Sequence, residues 1–321
     1  MILLSREIIE RNFSMRECMD AVKEAFRLFS ENKVKVPLRT QIATEDEKGN
    51  FLCMPAYCEE YEASCVKVLN MFPENIKNGI PTINAQVLIM NTKTGVIDGI
   101  IDGNYLTQLR TGAASGVALE LLAKKECKKG ALIGTGGQAP AQLEAMIAAK
   151  QLKEVQVFDL DFDRCRKFTE QMSKKLEHYG AGITAVTSSD IAVEDADVII
   201  TVTPSFKPVF DGNKVKSGAT ICGVGSYQPK MQEIPPSLLT KASKIYFDSE
   251  EAVLSEAGDI LIPLEDGTIT RGKFTGDIGQ VILGNLVGRE NENEIIFFKT
   301  VGIAAQDLIT AKFIFDKFKV F

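Results

Sequence analysis

Apolar residues recur along this chain at two different periods. From Met15 onward, Cys18, Met19, Val22, Ala25, Phe26 and Phe29 fall on one face at helical spacing. Ser14-Met-Arg-Glu17 just before them reads as a capping box, so the pattern predicts an amphipathic helix that serves as scaffold. Residues 36–42, 50–54, 64–72, 82–90 and 96–101 are instead runs of strand character, the last two joined through Asn91-Thr-Lys-Thr-Gly95. They predict a mainly antiparallel sheet in a first domain. The turn Asp102-Gly103-Asn104, with Asn104 as N-cap, opens a predicted helix over 105–125 that leads out of that domain.

Beyond this helix, strand and helix alternate. Strands are expected at 131–133, 155–158, 183–186, 197–202, 219–223, 244–248 and 294–299, with helices after the first of them and over 163–179. Such alternation predicts a doubly wound parallel sheet. A last apolar helix, entered through Gly302 to Asp307, is placed to return to the first domain, which would then be built from both chain ends. The expected division is 1–117 completed by 300–321, and 118–299.

The first strand-to-helix turn of the second domain carries chemistry. Ala131, Leu132 and Ile133 run into Gly134-Thr-Gly136-Gly137-Gln138-Ala139 and then an alanine-rich helix, the G-x-G-x-x-A pattern of a dinucleotide-binding unit. Gly134 suits the tight turn, Gly136 lets backbone approach a pyrophosphate, and Ala139 packs helix on strand, with the helix N-terminus offering a positive dipole end. The next strand ends at Asp159, where an acid would take the ribose hydroxyls and repel a 2′-phosphate, so NAD(H) is favoured. Arg164, Arg166 and Lys167 follow closely and keep NADP(H) open. In doubly wound sheets ligands lie at the carboxyl ends of strands, which adds Thr203, Pro204, Val224 and Gly225 to the expected cofactor site.

Two cations in the first domain need an explanation. Lys67 stands in Cys65-Val-Lys-Val-Leu69, where a strand buries at least one face. Either an anion meets its ammonium or it snorkels to water. Arg110, in Gln108-Leu-Arg-Thr-Gly112-Ala-Ala-Ser-Gly116, adjoins a small-sided stretch onto which something must pack closely; a ligand and a simple salt bridge both suit it. Arg39 raises the same question more weakly.

Composition narrows the partners. A net charge of −6, with no basic run interleaved with aromatics, argues against nucleic acid. Residues 1–14 lack the apolar run of a signal peptide and no apolar stretch approaches a membrane span, so a cytoplasmic protein is expected. Seven cysteines without a C-x-x-C pair suit reduced thiols. The single histidine, His178, lies near a helix end before a glycine and reads as structural, which excludes a histidine-based triad and a two-imidazole metal site. No metal is expected.

With these pieces assembled, the chain resembles the ornithine cyclodeaminase/mu-crystallin family from end to end. The resemblance rests on Pro37-Leu-Arg39, Met54-Pro55, Lys67-Val-Leu-Asn70, Gln108 to Ala113, Ile133 to Ala139, Gly225 to Glu233, Gly284 to Arg289 and Gly302 to Asp307. It implies a Rossmann-like cofactor domain for NAD(H), a smaller α+β substrate and dimerisation domain, and a homodimer through that domain. It also implies that Arg39, Lys67 and Arg110 hold a substrate carboxylate, that Lys67 handles a proton, and that Thr111 and Asp307 join the glycine loop, Gly137 and Gln138 included, at the cofactor. Where cyclodeaminases carry an aspartate this chain has Tyr227, and Phe51-Leu-Cys53 stands where they carry an upstream acid. A distal ammonium then lacks its partner, while Tyr227 can shape a smaller pocket. The expected activity is therefore NAD(P)H-dependent reduction of a small α-imino or α-keto acid, such as 1-pyrroline-2-carboxylate to L-proline, or an alanine-dehydrogenase-like reaction. The rivals are an ornithine cyclodeaminase, in which NAD is recycled, and a mu-crystallin-like binding protein.

Overall fold

A computed structural model describes residues 1–37, 39–45 and 48–319, with only the backbone at Ile76. Leu38, inside the expected strand at 36–42, and residues 320–321 of the expected C-terminal segment lie outside the described residues. The chain divides into two compact units, one of residues 1–110 with 303–321 and one of residues 111–302. The expected boundaries at 117 and 300 thus move to 110 and 303.

The first unit contains β1 (Ile2–Leu4), α1 (Arg6–Asn12), α2 (Met15–Ser30), β2 (Val34–Lys35), β3 (Thr40–Ala43), β4 (Asn50–Cys58), β5 (Ala63–Met71), β6 (Ile83–Asn91) and β7 (Ile97–Asp102). Its strands run in the order β1-β7-β6-β5-β4-β2, with β3 also on β4. All pairs are antiparallel except β1 with β7. The Ser14–Glu17 capping box forms as the residue pattern requires. Of the described residues in the run expected at 36–42 only 40–42 are strand, in β3, with β2 ending just before the run, and β1 is too short to show a period of its own. The helix α3 (Gly103–Leu122) then leaves this unit, capped by the Asp102 carboxylate, which accepts from the Tyr105 N–H at 2.7 Å. Asn104, the expected cap, already lies inside the helix.

In the second unit β8 (Lys129–Ile133), α4 (Ala139–Ala149), β9 (Glu154–Phe158), α5 (Phe162–Lys175), β10 (Gly182–Ala185), α6 (Ser189–Val193), β11 (Val198–Thr201), β12 (Thr220–Gly223), α7 (Pro236–Lys241), β13 (Lys244–Phe247), α8 (Glu250–Glu256), α9 (Gly258–Glu265), β14 (Phe274–Asp277), α10 (Ile278–Ile282) and β15 (Ile296–Lys299) follow in order. The strands form one sheet in the order β10-β9-β8-β11-β12-β15-β13-β14, every pair parallel. Continuous apolar runs such as Val198–Thr201 are buried throughout, as a parallel sheet covered on both faces demands. Winding reverses between β8 and β11, which makes the carboxyl ends of those two strands the switch point where ligands bind in this architecture.

The small residues of α3 are explained here. A Cβ on Gly112 would stand 2.4 Å from the Ala141 carbonyl oxygen, so α3 and α4 approach backbone to backbone. Gln142 then donates to the Thr111 carbonyl at 3.0 Å. The chain ends in α11 (Ala304–Phe318), which packs on α2 and against β4, β5 and β6 of the first unit. No helix among the described residues is long and apolar enough to cross a membrane.

Candidate active site

Alternation along β5 directs Ala63, Cys65, Lys67 and Leu69 inward, so Lys67 faces the side of the sheet that α11 covers. Only 1% of Lys67 is exposed, and an anion does meet it: Nζ donates to Asp307 Oδ2 at 2.6 Å. The other oxygen of that carboxylate accepts from Arg110 Nε at 3.1 Å, and Arg110 Nη1 donates to Gln306 Oε1 at 3.2 Å. Gln306 is held in turn, since the same Oε1 accepts from the Ile303 N–H at 3.0 Å. Asp307, expected with the cofactor, is fully buried within the first unit with both oxygens on these cations.

Burial drives the Lys67 ammonium down to about 8 against the pull of Asp307, and the cations of Arg110 and Arg39 push it the same way. Arg39, half-buried before β3, therefore lies within electrostatic reach of Lys67. Burial alone would raise the Asp307 carboxyl, but Arg110 and Lys67 hold it below its ordinary value. The result is a buried group of cations, one of them able to exchange a proton near neutral pH, suited to binding a carboxylate and moving a proton beside it.

The second unit builds a different kind of site. Gly134 adopts φ +104°, and a Cβ there would lie 2.8 Å from both the Val202 carbonyl oxygen and the Thr203 methyl. That turn, the carboxyl end of β11 and the end of β9 enclose a cavity of about 490 Å³, lined in part by Gly136, Asp159, Arg164, Thr203, Pro204 and Lys207. A Cβ at Gly136 or Gly137 would meet nothing within 4 Å, and the Oε1 of Gln138 is buried without a partner among the described residues. Open backbone and an unpaired polar atom ahead of the 11-residue α4 fit the pyrophosphate of a dinucleotide.

Asp159 lies at the mouth of this cavity, with its lone pairs already engaged. Thr135 donates to Oδ2 through N–H at 2.9 Å and hydroxyl at 2.7 Å, while the Asp161 N–H at 3.0 Å and the Arg164 guanidinium donate to Oδ1. Burial raises this carboxyl, and these hydrogen bonds outweigh it to lower the net value. Of the two side chains that donate here, Arg164 is the exposed one, at 59%.

Glu233 was missed in the residue pattern, although it closes the Gly225-to-Glu233 segment. It is fully buried and fastens two loops of the site: Oε1 accepts from the Thr203 N–H at 2.6 Å and hydroxyl at 2.8 Å, and Oε2 from the Gly225 N–H. Burial and then the nearby Asp259 push its carboxyl up to about 7, opposed by Lys299. Asp259 pairs with the buried Lys299 at 2.9 Å and also accepts from the N–H groups of Glu233 and Ile234. Val224 and Ala139 are core residues beside these loops, and Tyr227 is partly exposed in the segment after β12. His178 sits on an exposed single turn against Tyr179, in keeping with a structural part.

The chain as a whole is similar to proteins of known identity. The model of the ornithine cyclodeaminase/mu-crystallin family matches residues 1–320. The chain belongs to that family. The Delta(1)-pyrroline-2-carboxylate reductase of Bacillus thuringiensis subsp. konkukian is 34% identical over 99% of this chain and 96% of its own length. The alanine dehydrogenase of Archaeoglobus fulgidus is also 34% identical, over 98% of this chain and 94% of its own. Among solved structures, Thermococcus litoralis Delta(1)-pyrroline-2-carboxylate reductase in complex with NADH and L-proline superposes with a TM-score of 0.93. It is 40% identical, over 99% of this chain and 97% of that one.

Proposed function

We propose that this protein is an NAD(H)-dependent reductase of a small α-imino acid, converting 1-pyrroline-2-carboxylate to L-proline. The observation that carries the reading is the buried pair Lys67 and Arg110, a carboxylate-binding site whose lysine exchanges a proton near neutral pH. The similarity to reductases acting on this imine, one of them solved with NADH and L-proline, supports it.

Arg110 clamps the substrate carboxylate, with Arg39 adding a second guanidinium, and Lys67 lies beside the ring nitrogen. Reduced nicotinamide, when bound, supplies a hydride to the imine carbon. Lys67 gives a proton to the imine nitrogen, so that C=N becomes CH–NH, and regains it from solvent. Fixing the imine by its carboxylate is what orients the reacting carbon. The dinucleotide would be held by Gly134, Gly136, Gly137, Gln138 and Ala139, with Thr203, Pro204, Val224 and Gly225 along its length, Asp159 at the ribose and Thr111 nearby. Tyr227 occupies the position of the cyclodeaminase aspartate, which disfavours ring closure of ornithine.

Proline formed with NADH deuterated at C4 of the transferred side should carry one deuterium on Cα; unlabelled proline would overturn the assignment. A second reading, reductive amination of pyruvate, is supported by the equal identity to an alanine dehydrogenase. It uses the same residues.

A homodimer belongs to the proposal. On the face of the first sheet turned away from Lys67, Pro55, Val66, Leu88, Ile100 and Leu3 pair across five strands as one apolar row. Leu3 is 63% exposed, and the other four are half-buried. A second copy would cover the row. Light scattering should give twice the chain mass, and Leu88→Arg should give monomer; a wild-type monomer would overturn this.

A further inference from the structure

Asp307 does more than neutralise a buried charge. Its carboxylate reaches from α11 to Lys67 on β5 and Arg110 on α3, residues 240 and 197 positions away, and it is completely buried. Gln306, the preceding residue, takes the Nη1 of the same guanidinium while held by the Ile303 N–H. Two of the three nitrogens of Arg110 are thus tied to the first turn of one helix, and among the described residues no partner takes Nη2. Charge follows the same logic. Lys67, Arg110 and Arg39 bring three positive charges to one place, and Asp307 and a single substrate carboxylate together offset two of them.

We infer that Asp307 is a positioning residue that aims Lys67 and Arg110 at one substrate carboxylate and sets how firmly Lys67 keeps its proton. The inference rests on the proposed reduction, in which Lys67 acts as the acid. The charged and titratable groups facing Lys67 are Asp307 from α11, Arg110 from α3, Arg39 from the segment before β3, and Cys65 two positions back on its own strand. Asp307 is the one carboxylate among them. Without its charge the cations and burial act unopposed, so Lys67 gives up its proton at lower pH. The protonated acid is then scarce at a pH where the native protein still holds it.

The test is a titration that needs no ligand. In protein labelled with ¹³C at lysine Cε, the Lys67 resonance is assigned by its loss in Lys67→Met and followed against pH. The native midpoint should lie near 8, fall by at least one pH unit in Asp307→Asn, and return towards the native value in Asp307→Glu. In parallel, the alkaline fall of kcat/KM for 1-pyrroline-2-carboxylate reduction should move with the midpoint. At pH 8 kcat/KM should drop about tenfold in Asp307→Asn, with KM raised because Arg110 and Lys67 lose the carboxylate that aims them. An unchanged midpoint overturns the inference. So does a moved midpoint with an unmoved alkaline limb, or a uniform loss of kcat/KM at every pH, which is the mark of a purely structural carboxylate. Native protein inert towards every imine and keto acid would instead defeat the proposed reaction, and the lysine titration would still decide what Asp307 does to Lys67. If Asp307→Asn fails to fold, Asp307→Glu alone decides: a native midpoint with altered KM supports a role in aiming the cations, and identical kinetics overturn it.

Discussion

The two units build sites of opposite kinds. The cavity of the second unit is a backbone cradle, made by a glycine turn, open space at Gly136 and Gly137, and strand ends fastened by Glu233. The cluster of the first unit is made by side chains, the charged Lys67, Arg110 and Asp307 with Gln306 beside them, held on three elements that are distant in sequence and removed from water. A cradle tolerates changes in side chains but not in backbone shape. A charged cluster fails when one charge is removed.

Lys67→Met should separate the two most sharply. Losing the acid should cost turnover about 10²- to 10⁴-fold, the range for general acid catalysis, while NADH affinity measured by fluorescence stays within about twofold of native. Equal turnover, or an equal loss of NADH binding, would break the distinction. The native enzyme should also lose kcat/KM as pH rises through about 8, because the protonated lysine is the working form and burial lowers its pKa from the ordinary 10.5.

In the cradle, Gly134→Ala should act through backbone alone. A Cβ at φ +104° is strained and meets Val202 and Thr203, so roughly 1–3 kcal/mol should appear as a lower melting temperature and about 10- to 100-fold weaker NADH binding. A melting curve and NADH titration matching the native protein would remove the strain argument. Glu233→Gln should be milder. Whichever way the amide turns, its NH₂ opposes an N–H, of Gly225 or of Thr203, and one lost buried hydrogen bond of about 1–2 kcal/mol should weaken NADH about tenfold or somewhat more. Unchanged affinity would show that the loops hold without it. Arg164→Ala should have the smallest effect. It frees an Asp159 oxygen for the ribose, worth about 0.2–1 kcal/mol towards NADH as for ion pairs open to solvent on one side, and removes a cation beside Asp159 that a 2′-phosphate could use, so the preference for NADH over NADPH should widen. A narrowed preference would place the 2′-phosphate contact elsewhere.

The difference between the units also decides what could be read from the residues alone. The glycine turn, the Ser14–Glu17 cap and the alternation of the second unit are local, so their physics lies within a few consecutive positions. Lys67 was recognisable as a cation in an apolar strand, but its partner Asp307 lies on the last helix, and the pairing of the two carries no local mark. Glu233 and the Lys299–Asp259 pair escaped for the same reason, since buried charges reveal themselves only through their partners. The edge strand β14, four residues with a glycine at φ +134°, has no period to detect.

The most direct test of the account is nicotinamide absorbance in the presence of purified protein, excess NADH and either 1-pyrroline-2-carboxylate, its six-membered analogue, pyruvate with ammonia, or no substrate. The account predicts NADH oxidised in step with L-proline formed from the five-membered imine, and none without substrate. Proline and ammonia released from ornithine with only catalytic NAD, and no NADH consumed with any imine or keto acid, would contradict it.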